Sequence, residues 1–258
     1  VMRVQTSNKA ISSTGTVDSV LISGDESLIY SDMDMSEDGN SIVFSYDYIS
    51  VSGSMSQEIR EVGISSCPTD CSDSLLYSAS SEEVITSVTY NSSANRIYFT
   101  GSMSPNSSGP YAGFNLISFI EDQGGIFSSA VVLAAENSGY YGNDYSARGV
   151  LNSVDAGSAF LGSGLDELDE AVSYRFHNVN TGKDEVHVID VGSCSVDSSG
   201  DCLANGESSI EVIMNDADLP SLSSDSLLFS SSVDDSLYRY DFVSLQLSLV
   251  GSGTQADQ

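Results

Sequence analysis

The stretch "DMDMSEDGNSIVF", residues 32–44, sets several acidic side chains beside a glycine and then continues into an apolar run. A calcium-binding loop needs oxygen ligands at alternate positions, a glycine at a sharp turn and a late bidentate carboxylate. Asp34, Ser36 and Asp38 match the first ligand positions of such a loop. No carboxylate stands where the closing ligand belongs, so the calcium motif is incomplete.

The competing interpretation of this stretch is a hairpin turn over residues 36–40. The pair Asp38-Gly39 supplies the positive φ that tight turns require, and the apolar residues 42–44 then begin a strand. A partial motif is weak evidence for a metal site. The sequence therefore favours the turn. Calcium, with Asp34, Ser36 and Asp38 as ligands, remains the one cofactor that the sequence admits.

Short apolar runs bounded by Gly, Asn, Asp and Ser recur along the chain, whereas helical periodicity is nearly absent. This pattern is typical of antiparallel β structure. Four segments align on a turn followed by a strand, and each precedes a second hairpin: "EDGNSIVFSY" (37–46), "SANRIYFTGS" (93–102), "DAGSAFLGSG" (155–164) and "SSDSLLFSSS" (223–232). A repeated four-stranded meander predicts an all-β fold, a β-propeller of about four to five four-stranded antiparallel blades.

Two segments resemble a known repeat family. "MSEDGNSIVFS" (35–45) resembles the S-P-D-G-x-x-I-x-F-x-S turn and strand of TolB-like (PD40, WD40-like) propeller repeats. "YRFHNVNTGKDEVHVIDV" (174–191) resembles the tyrosine-rich outer hairpin of such blades. Glu37 replaces the proline, and the chain has no tryptophan. The resemblance implies a ring-shaped scaffold used mostly to bind proteins or ligands, without implying a particular activity.

We expect residues 1–258 to form a single propeller domain, since all-β propellers of this length commonly do so. The segment "TVDSVLISGDESLIYSD" (16–32) predicts a further hairpin, which makes residues 1–32 a partial blade or closing hairpin. The repeats are predicted to start near residues 33, 84, 145 and 209. The alternative is that the chain is part of a larger propeller or of a bigger surface protein.

The charge of the chain excludes two classes of partner. Eight Lys and Arg residues stand against 37 Asp and Glu residues, which gives a formal net charge of −29. Such a charge repels phosphate backbones and anionic lipid head groups, so we expect no nucleic-acid partner. The sequence also lacks an apolar run long enough to span a bilayer, and we expect no membrane insertion.

The four cysteines lie in two pairs that are close in sequence, Cys67 with Cys71 and Cys194 with Cys202. In an acidic, serine-rich chain, this spacing favours two disulfides that each close a short loop, and hence an oxidising compartment. A zinc site that uses all four cysteines is the competing interpretation, but no histidine lies near them. The sequence therefore predicts an extracellular, cell-surface or periplasmic protein.

Candidate binding residues lie on the loops that a propeller presents on one face. We expect the segment 100–113, the tyrosine-rich segment 137–149, the acidic segment 162–171 and the Cys194–Cys202 loop to share that face. Tyr140, Tyr141 and Tyr145 with Arg148 form the kind of amphipathic group that is enriched at interfaces. Packing of these tyrosines between neighbouring blades is the alternative.

The sequence does not support a catalytic site. His177 and His187 flank the "NTGK" turn, where cross-strand polar contacts are expected. Acidic pairs such as Asp169-Glu170 are expected in a solvated loop. A buried cluster of carboxylates at the central channel would favour an enzyme, and an exposed face rich in tyrosine would favour a binder.

The leading hypothesis is accordingly a non-catalytic propeller module that binds a protein partner or assembles with copies of itself. The alternative is a propeller-type hydrolase domain that acts on glycans or peptides. Unpaired strands near the chain ends would favour self-assembly.

Overall fold

The computed structural model describes most of the chain, and the described residues form strands, turns and short loops without an α-helix. They are residues 2–5, 16–20, 29–36, 39–49, 55–64, 73–91, 95–137, 149–159, 161, 169–178, 180–191, 195–196, 202–203, 210–231 and 233–252. Within these ranges no helix could span a bilayer.

The strands of the described residues pair into antiparallel sheets. A first hairpin consists of β1 (Met2–Gln5) and β2 (Thr16–Val20). Blade 1 contains β3 (Ile29–Met35), β4 (Ser41–Ile49), β5 (Met55–Gly63) and β6 (Asp73–Ser78). Blade 2 contains β7 (Glu83–Asn91), β8 (Arg96–Met103), β9 (Phe114–Glu121) and β10 (Val131–Asn137).

The third sheet includes an insertion and the fourth does not. Blade 3 contains β11 (Gly149–Ala159), β12 (Asp169–Asn178), β13 (Lys183–Asp190) and, after a small hairpin of β14 (Ser195–Val196) and β15 (Cys202–Leu203), β16 (Ile210–Asn215). Blade 4 contains β17 (Ala217–Leu222), β18 (Ser226–Ser231), β19 (Ser236–Asp241) and β20 (Gln246–Ser252).

The four blades are arranged around their first strands, which we call the inner strands: β3, β7, β11 and β17. Each inner strand contacts the next one along the chain. The last strand of blade 4, β20, is exposed at every residue and therefore lies on the outside. Four-stranded meanders packed in this way make a β-propeller, as the repeats predict, and the described residues contain four blades of it.

The hydrophobic core lies between the blades in three clusters. One joins blade 1 to blade 2 around Ile59 and Phe99, one joins blade 2 to blade 3 around Ile117 and Tyr174, and one joins blade 3 to blade 4 around Phe229. A middle strand thus has neighbours on both faces. This explains why strand β8 has an unbroken apolar run instead of an alternating pattern.

The opening stretch forms the predicted hairpin turn between β3 and β4. The N–H of Gly39 donates to the carbonyl of Ser36 at 2.8 Å, and the N–H of Ser36 donates to the carbonyl of Ser41 at 3.0 Å. Gly39 has a φ of 70°, the left-handed conformation that glycine adopts without strain.

Two details of the predicted repeats are wrong. The segment 155–164 is not a turn followed by a second strand, because Asp155 to Ala159 form the end of the inner strand β11. The segment 174–191 consequently contains the second and third strands of blade 3 and not its outer hairpin. The unit was misaligned by one strand because a long segment, residues 160–168, separates β11 from β12.

The N-terminal hairpin also differs from the prediction. Residues 16–20 pair with residues 2–5, and residues 29–35 pair with β4, so the segment 16–32 is not a hairpin by itself. An apolar, turn-bounded pattern identifies strands but does not identify their partners. Two predictions remain untested: that residues 1–32 act as a partial blade or closing hairpin, and that the chain is a single domain.

Gly101 in β8 lies where two strands approach closely. A Cβ atom added at this position would stand 2.5 Å from the carbonyl oxygen of Val84, next to the bulge between Ile85 and Ser87. Backbone atoms cannot move away as the end of a flexible side chain can. The bulge in β7 therefore requires glycine at this position.

We expect Gly101→Ala to lower the free energy of unfolding by roughly 1–3 kcal/mol, because the methyl group overpacks the bulge. Urea denaturation measures the change. The matched control is Gly109→Ala, whose added Cβ would have its nearest neighbour, Ser107 Oγ, at 3.9 Å. It should stay within about 0.5 kcal/mol of the original protein. Equal losses of unfolding free energy in the two variants would contradict the conclusion that the bulge requires glycine at position 101.

Candidate functional site

The inner strands of blades 1 and 2 are joined by carboxylates. Asp32 Oδ2 accepts the N–H of Val88 at 3.0 Å, and Asp34 Oδ2 accepts the N–H of Tyr90 at 2.9 Å. Val88 and Tyr90 are alternate residues of β7, which pairs with another strand only on its β8 side. The two aspartates thus supply acceptors for backbone groups that point away from the sheet.

The same arrangement continues around the inner strands. The N–H of Val154 donates to Ser87 Oγ at 3.1 Å, which joins blade 3 to blade 2. The N–H of Leu222 donates to Asp155 Oδ2 at 2.6 Å, which joins blade 4 to blade 3.

Each inner strand has a bulge beside its polar side chain. The register shifts occur between Tyr30 and Asp32, Ile85 and Ser87, Asn152 and Asp155, and Asp218 and Ser221. A bulge changes the direction of a side chain relative to the regular pleat. In blades 1 to 3 the bulges therefore aim Asp32, Ser87 and Asp155 at the next inner strand.

Asp34 and Asp155 lie on either side of the Thr89 hydroxyl. Thr89 Oγ1 is 2.8 Å from Asp34 Oδ2 and 3.2 Å from Asp155 Oδ1, and Thr89 is almost fully buried. Burial raises the pKa of Asp155 above its usual value, the N–H of Leu222 counteracts this effect, and the charge of Asp34 adds to the rise. Burial likewise raises the pKa of Asp32.

A buried cluster of carboxylates is the feature that, from the sequence, would favour an enzyme. Asp34 accepts three hydrogen bonds, from the N–H groups of Met35 and Tyr90 and from Thr89. Asp155 accepts the N–H groups of Ala156 and Leu222, and its Oδ1 lies 3.2 Å from the Thr89 hydroxyl oxygen. These contacts assign both carboxylates to joining the blades.

A second polar cluster crosses from blade 2 to blade 3. Glu170 accepts hydrogen bonds from Arg96 Nη1 at 2.5 Å, from the Tyr98 hydroxyl at 2.6 Å and from Asn91 Nδ2 at 3.3 Å. The Arg96 guanidinium also lies over the ring of Phe119, 4.7 Å from its centre. Glu170 is therefore a partly buried residue of strand β12, and its predicted place in a solvated loop is wrong.

The two histidines make the expected cross-strand contacts within blade 3. His177 Nδ1 lies 2.8 Å from Asp184 Oδ1, and 40% of the His177 side-chain surface is exposed. His187 is buried, with Nδ1 at 3.2 Å from the Tyr174 hydroxyl and Nε2 at 2.8 Å from Glu185 Oε2. Both lie on middle strands rather than on the predicted outer ones.

The candidate calcium ligands are placed only in part. Asp34 contacts β7 as described, and Ser36 Oγ accepts the N–H of Ser41 at 2.9 Å. Asp38 lies outside the described residues. Within the described ranges, no group of three His, Cys, Asp or Glu side chains is arranged to hold a metal ion. Calcium binding remains a prediction.

The disulfides also remain a prediction. Cys67, Cys71 and Cys194 lie outside the described residues. Cys202 begins strand β15, of which the structure describes the backbone.

The predicted binding tyrosines, Tyr140, Tyr141 and Tyr145, and Arg148 also lie outside the described residues, but the strand ends on either side of them are well defined. Asn137 at the end of β10 pairs with Phe114 at the start of β9, directly after the loop 104–113. Gly149 at the start of β11 pairs with Asn178, directly before the turn 179–182. The strand ends that flank the segment 138–148 thus lie beside these two loops. We call this side of the propeller the loop face.

The acidic segment does not share the loop face, and that expectation is wrong. Ala159 pairs with Asp169 at the end of β11 opposite to Gly149. The 11 residues of β11 separate the two ends by about 35 Å. Strand β13, which precedes the Cys194–Cys202 loop in the chain, also ends on this opposite side, because Asp190 pairs with Ala171.

Sequence reasoning missed the residues that join the blades, namely Asp32, Ser87, Arg96, Asp155 and Glu170. The only local signal is a polar residue in a strand that also contains apolar residues, and a chain with 37 acids makes that signal common.

No protein-family model matches the sequence, and no curated protein is similar to it. Solved structures with a similar shape include a Mycobacterium tuberculosis puromycin-hydrolysing peptidase, with 12% identity, a TM-score of 0.45, and coverage of 89% of this chain and 30% of that one. The Myceliophthora thermophila Cps50 (Swd1) β-propeller domain has 10% identity, a TM-score of 0.35, and coverage of 89% and 75%. A nidogen–laminin complex has 6% identity, a TM-score of 0.39, and coverage of 84% and 78%.

At these TM-scores the likenesses do not identify an activity, and the fold rests on the strand order. The chain spans less than a third of the length of the peptidase.

We expect Asp155→Asn to change how stability depends on pH. The raised pKa means that folded Asp155 holds a proton more tightly than it does in the unfolded chain. Its contribution to stability is thus fully present below the ordinary pKa of 3.8 and is lost as the pH rises through the folded pKa. The stability of the original protein relative to Asp155→Asn should therefore fall between about pH 4 and pH 7. Urea denaturation across this range measures the stability difference between the two proteins. A difference that does not change with pH would contradict the raised pKa of Asp155.

We expect Glu170→Gln to lower the free energy of unfolding by about 1–3 kcal/mol, because it leaves Arg96 without its nearest carboxylate in a partly buried site. The control is Glu121→Gln, which removes the other carboxylate of Arg96, at 3.4 Å and more exposed. That change should cost less than about 1 kcal/mol. Similar losses in both variants would show that the cluster does not join the blades.

Proposed function

We propose that this chain is a TolB-like propeller module that binds a protein partner or copies of itself without catalysing a reaction. We further propose that it works at the cell surface, outside the cell or in the periplasm. The acidic composition and the two close cysteine pairs support this location.

The observation that carries the proposal is the strand register around the segment 138–148. The pairs Asn137 with Phe114 and Gly149 with Asn178 put the strand ends that flank this segment beside two other loops of the loop face. The neighbouring loop 104–113 presents the exposed residues Asn106, Ser108, Gly109 and Pro110 and the partly exposed Tyr111. Tyr and Arg side chains on such loops are the commonest energetic anchors of protein interfaces.

A hydrolase acting on glycans or peptides is the alternative. It would require carboxylates that are free to reach a substrate. The structural hydrogen bonds of Asp34 and Asp155 instead support a scaffold role, since catalysis would need these contacts to break.

The double variant Tyr141→Ala/Tyr145→Ala tests the proposal. Truncation of an interface tyrosine commonly costs more than about 1 kcal/mol, so partner capture should weaken at least about tenfold while the melting temperature changes little. The measurement is quantitative capture by the immobilised chain from cell-surface or secreted fractions. The control is Leu75→Ala, which removes an exposed side chain in strand β6 of blade 1.

Three results would count against the proposal. Unfolding of the double variant would show that the tyrosines are core residues between blades. Unchanged capture would remove the loop face from the interface. Hydrolysis of peptide or glycan substrates that is lost on Asp155→Asn would favour the hydrolase.

A further inference from the structure

The outermost strand of blade 4 has the properties of a docking strand. All seven residues of β20 are exposed, and among the strands that the structure describes β20 pairs only with β19. The backbone groups on its other side therefore face solvent and can accept a further strand. Leu247, Leu249 and Val250 are 47%, 58% and 54% exposed.

Charge distinguishes β20 from the other outermost strands. Asp73 lies in β6, Glu136 in β10 and Glu211 in β16, whereas the sequence of β20, "QLSLVGS", contains no charged residue. Charges on an edge strand oppose pairing with another edge. In a chain with a net charge of −29, β20 is thus the outer strand at which like-charged copies repel each other least.

The sequence of β20 is also complementary to itself. In an antiparallel pairing with a two-fold axis at Ser248, Leu247 of each copy lies opposite Leu249 of the other. Direct cross-strand pairs of apolar side chains are the units that stabilise a sheet. Both leucines lie on the face of Tyr238 and Tyr240, their partners in β19.

We propose that two copies of this chain associate through antiparallel pairing of their β20 strands, which joins the two fourth blades into one eight-stranded sheet. This interface is isologous, as in most homodimers. It extends the proposed protein-binding function to a second surface, since β20 lies on the outer side of the propeller. A single strand pair buries less surface than a standard interface, so the dissociation constant should lie between about 1 µM and 1 mM.

Salt should strengthen the dimer. Raising the ionic strength from about 0.01 M to 0.15 M shortens the screening length from about 30 Å to about 8 Å, which reduces repulsion between the two acidic propellers. Sedimentation equilibrium at both ionic strengths, over concentrations up to about 1 mM, measures the association.

Leu249→Lys tests whether β20 forms the dimer interface, and Leu75→Lys on β6 is the matched control. Each variant introduces the same charge at a leucine that is about half exposed on an outermost strand. Leu249→Lys should raise the dissociation constant at least tenfold, although the added positive charge reduces overall repulsion. Leu75→Lys should change it less than twofold.

Cysteine cross-linking tests the register without a change of charge. Ser248→Cys places two thiols at the two-fold axis, within the Cα separation that a disulfide requires. Mild oxidation should give a covalent dimer, and Ser74→Cys on β6, with the same native cysteines, should not.

A monomer at every concentration and both ionic strengths would overturn the inference. So would a dimer that survives Leu249→Lys, or equal cross-linking of the two cysteine variants. The variant Tyr141→Ala/Tyr145→Ala should still dimerise, so this inference and the proposed function fail in different experiments.

Discussion

The structure depends on hydrogen bonds from the backbone of one inner strand to polar side chains of the preceding one. An inner strand pairs within its sheet on one side only, and its remaining N–H groups need acceptors in a buried environment. Asp32, Asp34, Ser87 and Asp155 supply them. Because the blades share no continuous sheet, these bonds and the apolar clusters between blades hold the sheets in place.

This arrangement explains part of the acidic composition, because several carboxylates accept backbone N–H groups of a neighbouring inner strand. A carboxylate that accepts backbone N–H groups is a stronger acceptor than a neutral oxygen. Its burial has a cost, which is visible in the raised pKa of Asp155 beside Asp34. Asp155 therefore contributes most to stability in its protonated form, and this contribution falls as the pH rises.

Because the inner strands hold the blades, the outer parts of the molecule are free to interact. The loop face gathers the loops that enter and leave blades 2 and 3. The outer side carries four edge strands, three of which contain an acidic residue and one of which does not. The proposed binding at the loops and the proposed pairing at β20 would thus use surfaces that do not contribute to the core between the blades.

The sequence by itself determined the strands and tight turns, because these follow from local patterns. The Asp38-Gly39 turn, the apolar strands after it and the repetition of the meander were all readable in this way. The third repeat shows the limit of local patterns. It was misaligned by one strand because the long segment 160–168 separates the first strand of blade 3 from the second. Only the tertiary structure decided that Asp155 faces the next inner strand and that Glu170 meets Arg96 in another blade. The physical reason is that burial and pairing of charges depend on contacts between residues far apart in the chain, whereas strand and turn propensity depend on neighbours.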